Sequence, residues 1–293
     1  MTLDDYRRFF AEEIEQVASL TSPSLVEAFA RVPREKFLGA PPWHVASPEK
    51  RALAAMGLAP VAYRATSEPR HLYHNIVVSV DRAKDINNGQ PSALASWIQA
   101  LDLQPGYRAY HLGCGVGYYT AIIAEVVGPA GSVVAIDAQP DLAARARENL
   151  SGYTHVTVHH ADGGAFDPAA CDAILVNAGV THTQPLWLDR LREGGRLVVP
   201  ITLAVSATIG QGIMARILRR PSGYSAVVAS PVAIFNGGSL RDPEMEAPLR
   251  KALTTGALFK IKSLRREPHE AEESCLLHTP RMCLSSMAIE EHL

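Results

Sequence analysis

Apolar residues recur at helical spacing over residues 3–30: Phe9, Phe10, Ile14 and Val17, then Leu25, Val26 and Phe29. The run is broken at Thr21-Ser22-Pro23-Ser24. Two helices are expected, with Ser22 or Ser24 capping the second, because a hydroxyl can accept from the unpaired amides of a first turn. Residues 31–70 lose any period and fill with proline and small side chains, which predicts an irregular wrap with one short helix near 48–57. A strand is expected over 71–80 and a polar loop over 81–90, ending in Asn87-Asn88-Gly89-Gln90-Pro91. A helix over about 91–101 then leads into a Gln104-Pro105-Gly106 turn.

From that turn the alternation is regular. Apolar runs place strands near 107–112, 133–137, 155–160, 172–177 and 195–201, with helices near 117–127, 140–150 and 183–191. Strands and helices alternating at this length predict an α/β fold of the Rossmann-like kind, with a mostly parallel sheet covered on both faces. Two further strands, 212–219 and 224–235, follow each other directly and make an antiparallel finish, for seven strands in all. The chain accordingly divides into an N-terminal helical and irregular wrap (1–80), a cofactor-binding core (81–235) and a C-terminal α+β extension (236–293). In the extension, a helix near 243–255, a strand near 258–265 and a short apolar piece at 281–287 are expected.

The chemistry concentrates where the first of these strands ends. Arg108-Ala-Tyr-His-Leu-Gly-Cys-Gly-Val-Gly-Tyr118 runs from a strand through Gly113-x-Gly115-x-Gly117 into a helix, and the next strand closes on Asp137. Glycines let backbone approach a ligand closely, and an acid at the second strand's end can accept from both hydroxyls of a ribose. A dinucleotide site needs G-x-G-x-x-G to seat a pyrophosphate on the helix N-terminus. Here the spacing is G-x-G-x-G and Tyr118 follows, so S-adenosyl-L-methionine (SAM) is the expected cofactor and a nicotinamide dehydrogenase is disfavoured.

Composition adds exclusions. The 293 residues are 47% hydrophobic and 20% charged with a net charge of −2, which leaves no basic surface for nucleic acid. The densest basic cluster (Lys260, Lys262, Arg265, Arg266) is short and is followed by acids, as on a solvated strand edge. No apolar run reaches the ~20 residues that cross a bilayer. The N-terminus is acidic and has no apolar leader core, so a cytoplasmic protein is expected. The four cysteines (114, 171, 275, 283) form no CxxC pair, so neither a metal nor a disulfide framework is expected. Oligomeric state is not legible.

Over residues 25–235 the chain resembles the protein-L-isoaspartate O-methyltransferase family of SAM-dependent enzymes. The resemblance rests on Arg31-Val-Pro-Arg-Glu-Lys-Phe37, the Gln90-Pro91 helix start and Leu103-Gln-Pro-Gly106 before the glycine turn. It continues through Asp162-Gly163, Asp172-Ala-Ile-Leu-Val-Asn177 and Leu191-Arg-Glu-Gly-Gly-Arg-Leu-Val-Val-Pro200. It implies a class I methyltransferase fold and methyl transfer to a carboxylate of a peptide, a protein or a related small molecule. Two positions depart from the family pattern. His111 stands where members carry an acid that orients the methionine amino group. Asn87-Asn88-Gly89 replaces the hydroxyl-bearing run that lines the acceptor site.

Candidate roles follow. Gly113, Gly115, Gly117, His111, Asp137, Ala138, Asp162, Gly163 and Asn177 are expected around the cofactor, with Asp137 on the ribose and Asp162 on the adenine amino group. A carboxylate acceptor is already ionised at neutral pH and needs hydrogen-bond donors rather than a base. Asn87, Asn88, Gln90 and Ser92 can supply donors, and Asn177 ends the fourth strand near the transferred methyl. Were the acceptor a small-molecule or natural-product hydroxyl, His182 or His111 would be the expected base. A third possibility is a SAM-binding module without catalysis, whose extension recruits a partner. At most one of His159 and His160 faces the site, and Trp43, Trp97 and Trp187 are expected in the core.

Overall fold

A computed structural model describes residues 1–55, 58 and 62–289. The first two helices form as the period predicts: α1 (Leu3–Ala18) and α2 (Pro23–Arg31). Thr2 and Asp5 close a reciprocal capping box on α1, and the Ser22 hydroxyl, not that of Ser24, caps α2. The wrap holds more order than its composition suggests. Strands β1 (Trp43–Ala46), β2 (Arg64–Thr66), β3 (Val77–Asp81) and β4 (Ile86–Asn87) form a small antiparallel sheet in the order β2-β1-β3-β4. Between its first two strands lies α3 (Pro48–Ala55), and the expected continuation to residue 57 falls outside the described residues.

The strand expected over 71–80 is only half there. Residues 69–72 make a 3₁₀ turn, and extended pairing begins at Val77. The cause is Arg34, fully buried, whose guanidinium donates to the carbonyls of Leu72 (2.7 Å), His74 (3.2 Å) and Ile76 (2.9 Å). Carbonyls held by a fork of N–H donors are not free to build a ladder.

After α4 (Pro91–Ala100) the alternation runs β5 (Arg108–Leu112), α5 (Tyr118–Val127), β6 (Ser132–Asp137), α6 (Pro140–Asn149), β7 (Val156–His160), β8 (Cys171–Val176), α7 (Pro185–Arg190) and β9 (Leu191–Ala204). The antiparallel pair β10 (Ile209–Arg220) and β11 (Gly223–Phe235) follows. The α/β class holds, but the sheet is wider than the seven strands expected. Beyond α8 (Glu246–Thr254), strands β12 (Ser263–Arg265), β13 (Cys275–His278) and β14 (Cys283–Ser285) add to its edge. The resulting order is β13-β14-β12-β11-β10-β9-β8-β5-β6-β7. Of the added strands, β12 covers the start of β11, pairing Leu264 with Tyr224 and Ser263 with Ser225. The strand expected over 258–265 is cut to its last three residues because 257–260 coil into a 3₁₀ turn.

Alternate residues of the central strands feed two cores. Ala109, Val133, Ala135, Ala173 and Leu175 face α1, α2, α4 and α5, while Tyr110, Val134, Ile136, Ile174 and Val176 face the opposite layer with Trp187, Leu249 and Leu258. Trp43, Trp97 and Trp187 are buried as expected. Among the described residues no helix is long and apolar enough to cross a membrane.

Strand β5 pairs in parallel with β6 on one side and β8 on the other. The chain leaves β5 in one direction through β6 and β7 and returns to its other side for β8 and β9. That reversal opens a crevice at the carboxyl ends of β5, β6 and β8, where ligands collect in open α/β sheets.

Candidate functional site: a crevice at the sheet's switch point

The turn after β5 is shaped by backbone bonds before any side chain contributes. Gly113 and Cys114 both donate to the carbonyl of Ile136 on the neighbouring strand. Gly113, Gly115 and Gly117 all have positive φ (+74°, +57° and +90°). At Gly113 the requirement is double: a Cβ would sit 2.9 Å from the carbonyl oxygen of Asn177, in a backbone region that L side chains avoid.

Asp137 ends β6 and is 7% exposed. One carboxylate oxygen accepts from the Gly115 amide and the other from the Gln139 amide, each at 2.9 Å. Burial pushes its carboxyl up from the usual range, against the lowering effect of those amides. The acid therefore ties the glycine turn to the end of β6. Across the crevice the Asn177 amide donates to Leu112 at 2.8 Å, continuing the parallel pairing past β8.

These elements enclose a cavity of about 460 Å³. Of the residues singled out from sequence, Asn87, Asn88, Gly113, Gly115, Asp137, Ala138, Gly163 and Asn177 line it together. Gln90, Ser92, His111, Gly117, Asp162 and His182 do not. Gly117 instead packs its Cα face on α6, where a Cβ would come within 2.8 Å of Leu150. Asp162 is exposed and accepts from the Gly164 amide at 2.8 Å, a turn-forming bond. Its neighbour Gly163 is the one that reaches the crevice. Gln90 is turned aside and donates to Ser92 (3.1 Å), and the Ser92 amide at the start of α4 is bonded by Asn75 (3.0 Å).

The histidines are the main correction. His111 is fully buried, with Nδ1 bonded to the Thr120 hydroxyl at 2.9 Å and Nε2 without a partner. On β5 it shares its face with Ala109 and α5, whereas Leu112, one residue on, faces the crevice. Desolvation pushes its pKa down to about 3. His182, 6% exposed, accepts at Nε2 from Gln184 (3.3 Å) and directs Nδ1 to the Thr181 hydroxyl (3.0 Å). Burial first, and Arg281 second, lower its pKa. Neither ring is placed to take a proton from anything in the crevice. His159 packs against Phe166 and His160 against the Ala138 carbonyl, and neither lines the cavity.

A buried neutral histidine predicts a pH signature. The unfolded chain takes up a proton below pH ~6.5 while folded His111 does not until about 3. The unfolded state then binds more protons, so stability falls with falling pH across that window. Between pH 7 and 5 the loss from this residue is about 2 kcal/mol. Unfolding free energies from urea titrations at the two pH values should fall by about 2 kcal/mol more for wild type than for His111→Leu.

Two walls of the cavity were not anticipated. Ala207 and Thr208 come from the β9–β10 turn, and Asn236 to Leu240 from the segment after β11. The latter is locked to the loop after β8, with Gly179 donating to Phe235 (2.7 Å) and Gly237 donating back to Gly179 (2.8 Å). The Asn236-Gly237-Gly238-Ser239 run, directly after a strand, was the available signal. A larger groove of about 870 Å³, carrying Arg196 and Arg216, lies across α4 and β9–β11 but includes neither the glycine turn nor any of the candidate residues.

The sequence profile of the protein-L-isoaspartate(D-aspartate) O-methyltransferase family matches residues 49–217. The chain belongs to this family. It is 34% identical over 189 residues to the protein-L-isoaspartate O-methyltransferase of Ignicoccus hospitalis, covering 63% of this chain and 87% of that one. It is 33% identical over 196 residues to the enzyme of the same name from Methanothrix thermoacetophila, covering 64% and 78%. Among solved structures it superposes on a putative protein-L-isoaspartate O-methyltransferase from Plasmodium falciparum in complex with S-adenosyl-L-homocysteine. There the TM-score is 0.56 at 17% identity, over 78% of this chain and 97% of that one, a likeness of fold. Membership makes the chain a SAM-dependent methyltransferase. The match to the family profile ends at residue 217, ahead of β11 to β14 and the cavity wall at Asn236–Leu240, whereas the likeness of fold covers more of the chain than the residues up to that point.

Proposed function

We propose that this chain methylates a carboxylate of a peptide or protein, isoaspartyl residues first among them, with SAM held in the switch-point cavity. The cavity volume falls within the roughly 300–1,000 Å³ of small-molecule sites. Its features suit the cofactor: a side-chain-free approach at Gly113 and Gly115, and an inward acid at Asp137 for the ribose hydroxyls. The family's acid before the glycine turn has no replacement in His111, which lies behind the strand. That leaves Asn177 and the turn amides to hold the methionine end, and Gly163, not Asp162, beside the base. When bound, SAM supplies an electrophilic methyl carbon on a sulfonium.

The observation that carries the acceptor reading is that, among the described residues, no group along the cavity is fit to act as a base. The titratable groups there are Lys84, Cys114, Tyr119 and Asp137. Burial raises the Cys114 thiol well above its ordinary value and the Tyr119 hydroxyl to about 12. Asp137 is already engaged by two amides. A hydroxyl acceptor would need a proton removed, whereas a carboxylate is ionised at neutral pH and asks only for orientation. Asn88 can provide that orientation on turning its amide into the cavity it lines, because its Nδ2, now covered, bonds nothing in the protein. Lys84 at the mouth adds a cation for the approaching carboxylate.

Transfer of a labelled methyl from SAM to an isoaspartyl peptide, giving a base-labile ester, tests the reading against the matched aspartyl peptide. The rate should be flat between about pH 6 and 8, above a carboxylate's titration. Asn88→Ala should raise KM for the peptide about tenfold, the value of one hydrogen bond to a charged group. Label found only in hydroxyl or amine acceptors, or a rate that rises through the histidine range, would overturn it.

A further inference from the structure

The four cysteines and the nearby histidines gave no zinc spacing in the sequence, yet the fold gathers half of those cysteines in one place. His269, Cys275, His278 and Cys283 bring one ligating atom each to within 4.8 Å of one another. We propose that they form a His₂Cys₂ site for a divalent cation, with Zn²⁺ the best match, that ties the β13–β14 hairpin to the segment leading into it.

Topology assembles the set. In the antiparallel pair β13–β14, His278 stands directly opposite Cys283, and a register shift between Cys275 and Leu277 intervenes before Cys275 pairs with Ser285. His269 arrives from the polar segment between β12 and β13. Cys275 Sγ lies 3.6 Å from His269 Nε2. Bonds of about 2.3 Å to sulfur and 2.0–2.1 Å to nitrogen around a tetrahedral centre give an S···N edge of about 3.6 Å. The rings of His269 and His278 meet edge to face at 4.8 Å between centroids.

The surroundings fix the ligand atoms. His269 Nδ1 bonds the Glu267 carbonyl at 2.8 Å. A carbonyl only accepts, so the proton is on Nδ1, and Nε2, on the Cys275 side, keeps the lone pair. This outer-sphere arrangement is the one that orients a metal-binding imidazole. The Glu272 amide donates to Cys275 Sγ at 3.4 Å, which stabilises sulfur as a thiolate. Four protein ligands leave no open position, which makes the site structural rather than catalytic. The need is visible as well. Between β12 and β13 the residues are mostly polar and exposed, and Leu277, Met282 and Leu284, with Leu276 packed beside them, anchor the hairpin in the core. None of the four lines the switch-point cavity, and all lie beyond the family match at residue 217.

The test uses the full chain, expressed in zinc-supplemented medium and purified without chelator. Elemental analysis should find about one zinc per chain, as a closed four-ligand site takes a single ion. Exchange for Co²⁺ should give the visible bands of tetrahedral cobalt together with thiolate-to-cobalt charge transfer. His269→Ala, in the partly exposed loop, and Cys283→Ser, in the hairpin, should each weaken Co²⁺ binding by more than roughly the hundredfold that a lost outer-sphere partner costs. Both variants should bind S-adenosylhomocysteine like wild type, which shows that they fold. Substoichiometric zinc with no cobalt spectrum after reconstitution, cobalt bound without thiolate absorption, or isolation of the chain with a Cys275–Cys283 disulfide would overturn the proposal.

Discussion

Asp137→Asn should weaken S-adenosylhomocysteine binding by two orders of magnitude or more while leaving the chain folded. The carboxylate holds two elements at once: each oxygen accepts one backbone amide, from Gly115 and from Gln139. An amide side chain offers one acceptor and one NH₂. Whichever way it turns, a donor faces one of those two donors, and the glycine turn loses its tie or α6 loses its lead-in. The ribose hydroxyls lose a charged acceptor at the same stroke. Hydrogen bonds to a charged group are worth about 1.5–3 kcal/mol each, so two such losses give at least about 100-fold in Kd. Asp162→Asn is the matched control, because that side chain is exposed and, among the described residues, holds only the Gly164 amide. Calorimetry with S-adenosylhomocysteine distinguishes them. A Kd for Asp137→Asn within about threefold of wild type, under 1 kcal/mol, would remove Asp137 from the cofactor site.

The difference between those two aspartates shows how far the sequence carries. Strands β5, β6 and β8 form within a residue or so of their expected bounds, because buried parallel strands are written as largely apolar runs, and β7, the edge strand, is read from the alternation of Val156 and Val158 with polar residues. The same runs located the crevice, since its position follows from strand order. They did not assign side chains within it. His111 and Leu112 are adjacent at a strand end, and only the pleat decides that Leu112 lines the cavity while His111 meets Thr120 behind the sheet. His182 was misplaced for another reason. Its pocket is closed by residues sixty and more positions later, where the Asp242 amide bonds Thr181 and Arg281 lies near the ring. Strands of two to four residues such as β1, β2 and β4 carry too short a period to read, and β13 has one buried residue in four.

Under the proposed function, the acceptor side is built by those less legible parts. Asn87 and Asn88 sit on the β3–β4 hairpin of the small sheet, and the opposite wall comes from Asn236 to Leu240. The glycine turn and Asp137 lie inside the profile match, whereas the wall at Asn236–Leu240 lies past its end at residue 217. Under the proposed function, donor binding rests on residues inside the profile match, and the far wall on residues past its end. A substitution in either wall should move KM for the peptide more than affinity for the cofactor.

Arg34→Met should cost the fold about 3–5 kcal/mol, the largest single loss expected from any one side chain here, and should also raise KM for the peptide acceptor. Arg34 is fully buried and, among the described residues, meets no carboxylate: its charge is held by the carbonyls of Leu72, His74 and Ile76 and by the faces of Phe10 and Tyr118, 5.7 and 5.9 Å from the guanidinium. Methionine fills much of the volume but donates nothing, so three carbonyls lose their partner at about 1–3 kcal/mol for each that stays buried. Out of a typical 5–15 kcal/mol of stability that is a large share, and the urea midpoint should fall accordingly. Arg34→Lys should recover only part of it, because an ammonium is a point donor and cannot span carbonyls two and four residues apart as the fork does. The second effect follows from what those carbonyls hold. Residues 72–76 include Asn75, whose side chain bonds the Ser92 amide at the head of α4, and they lead directly into β3 and the hairpin that presents Asn87 and Asn88. Loosening that segment should shift peptide KM while S-adenosylhomocysteine affinity stays near wild type, because the glycine turn and Asp137 rest on β5 and β6. Equal losses in both would mean that the Arg34 clamp supports the core as a whole rather than the acceptor wall.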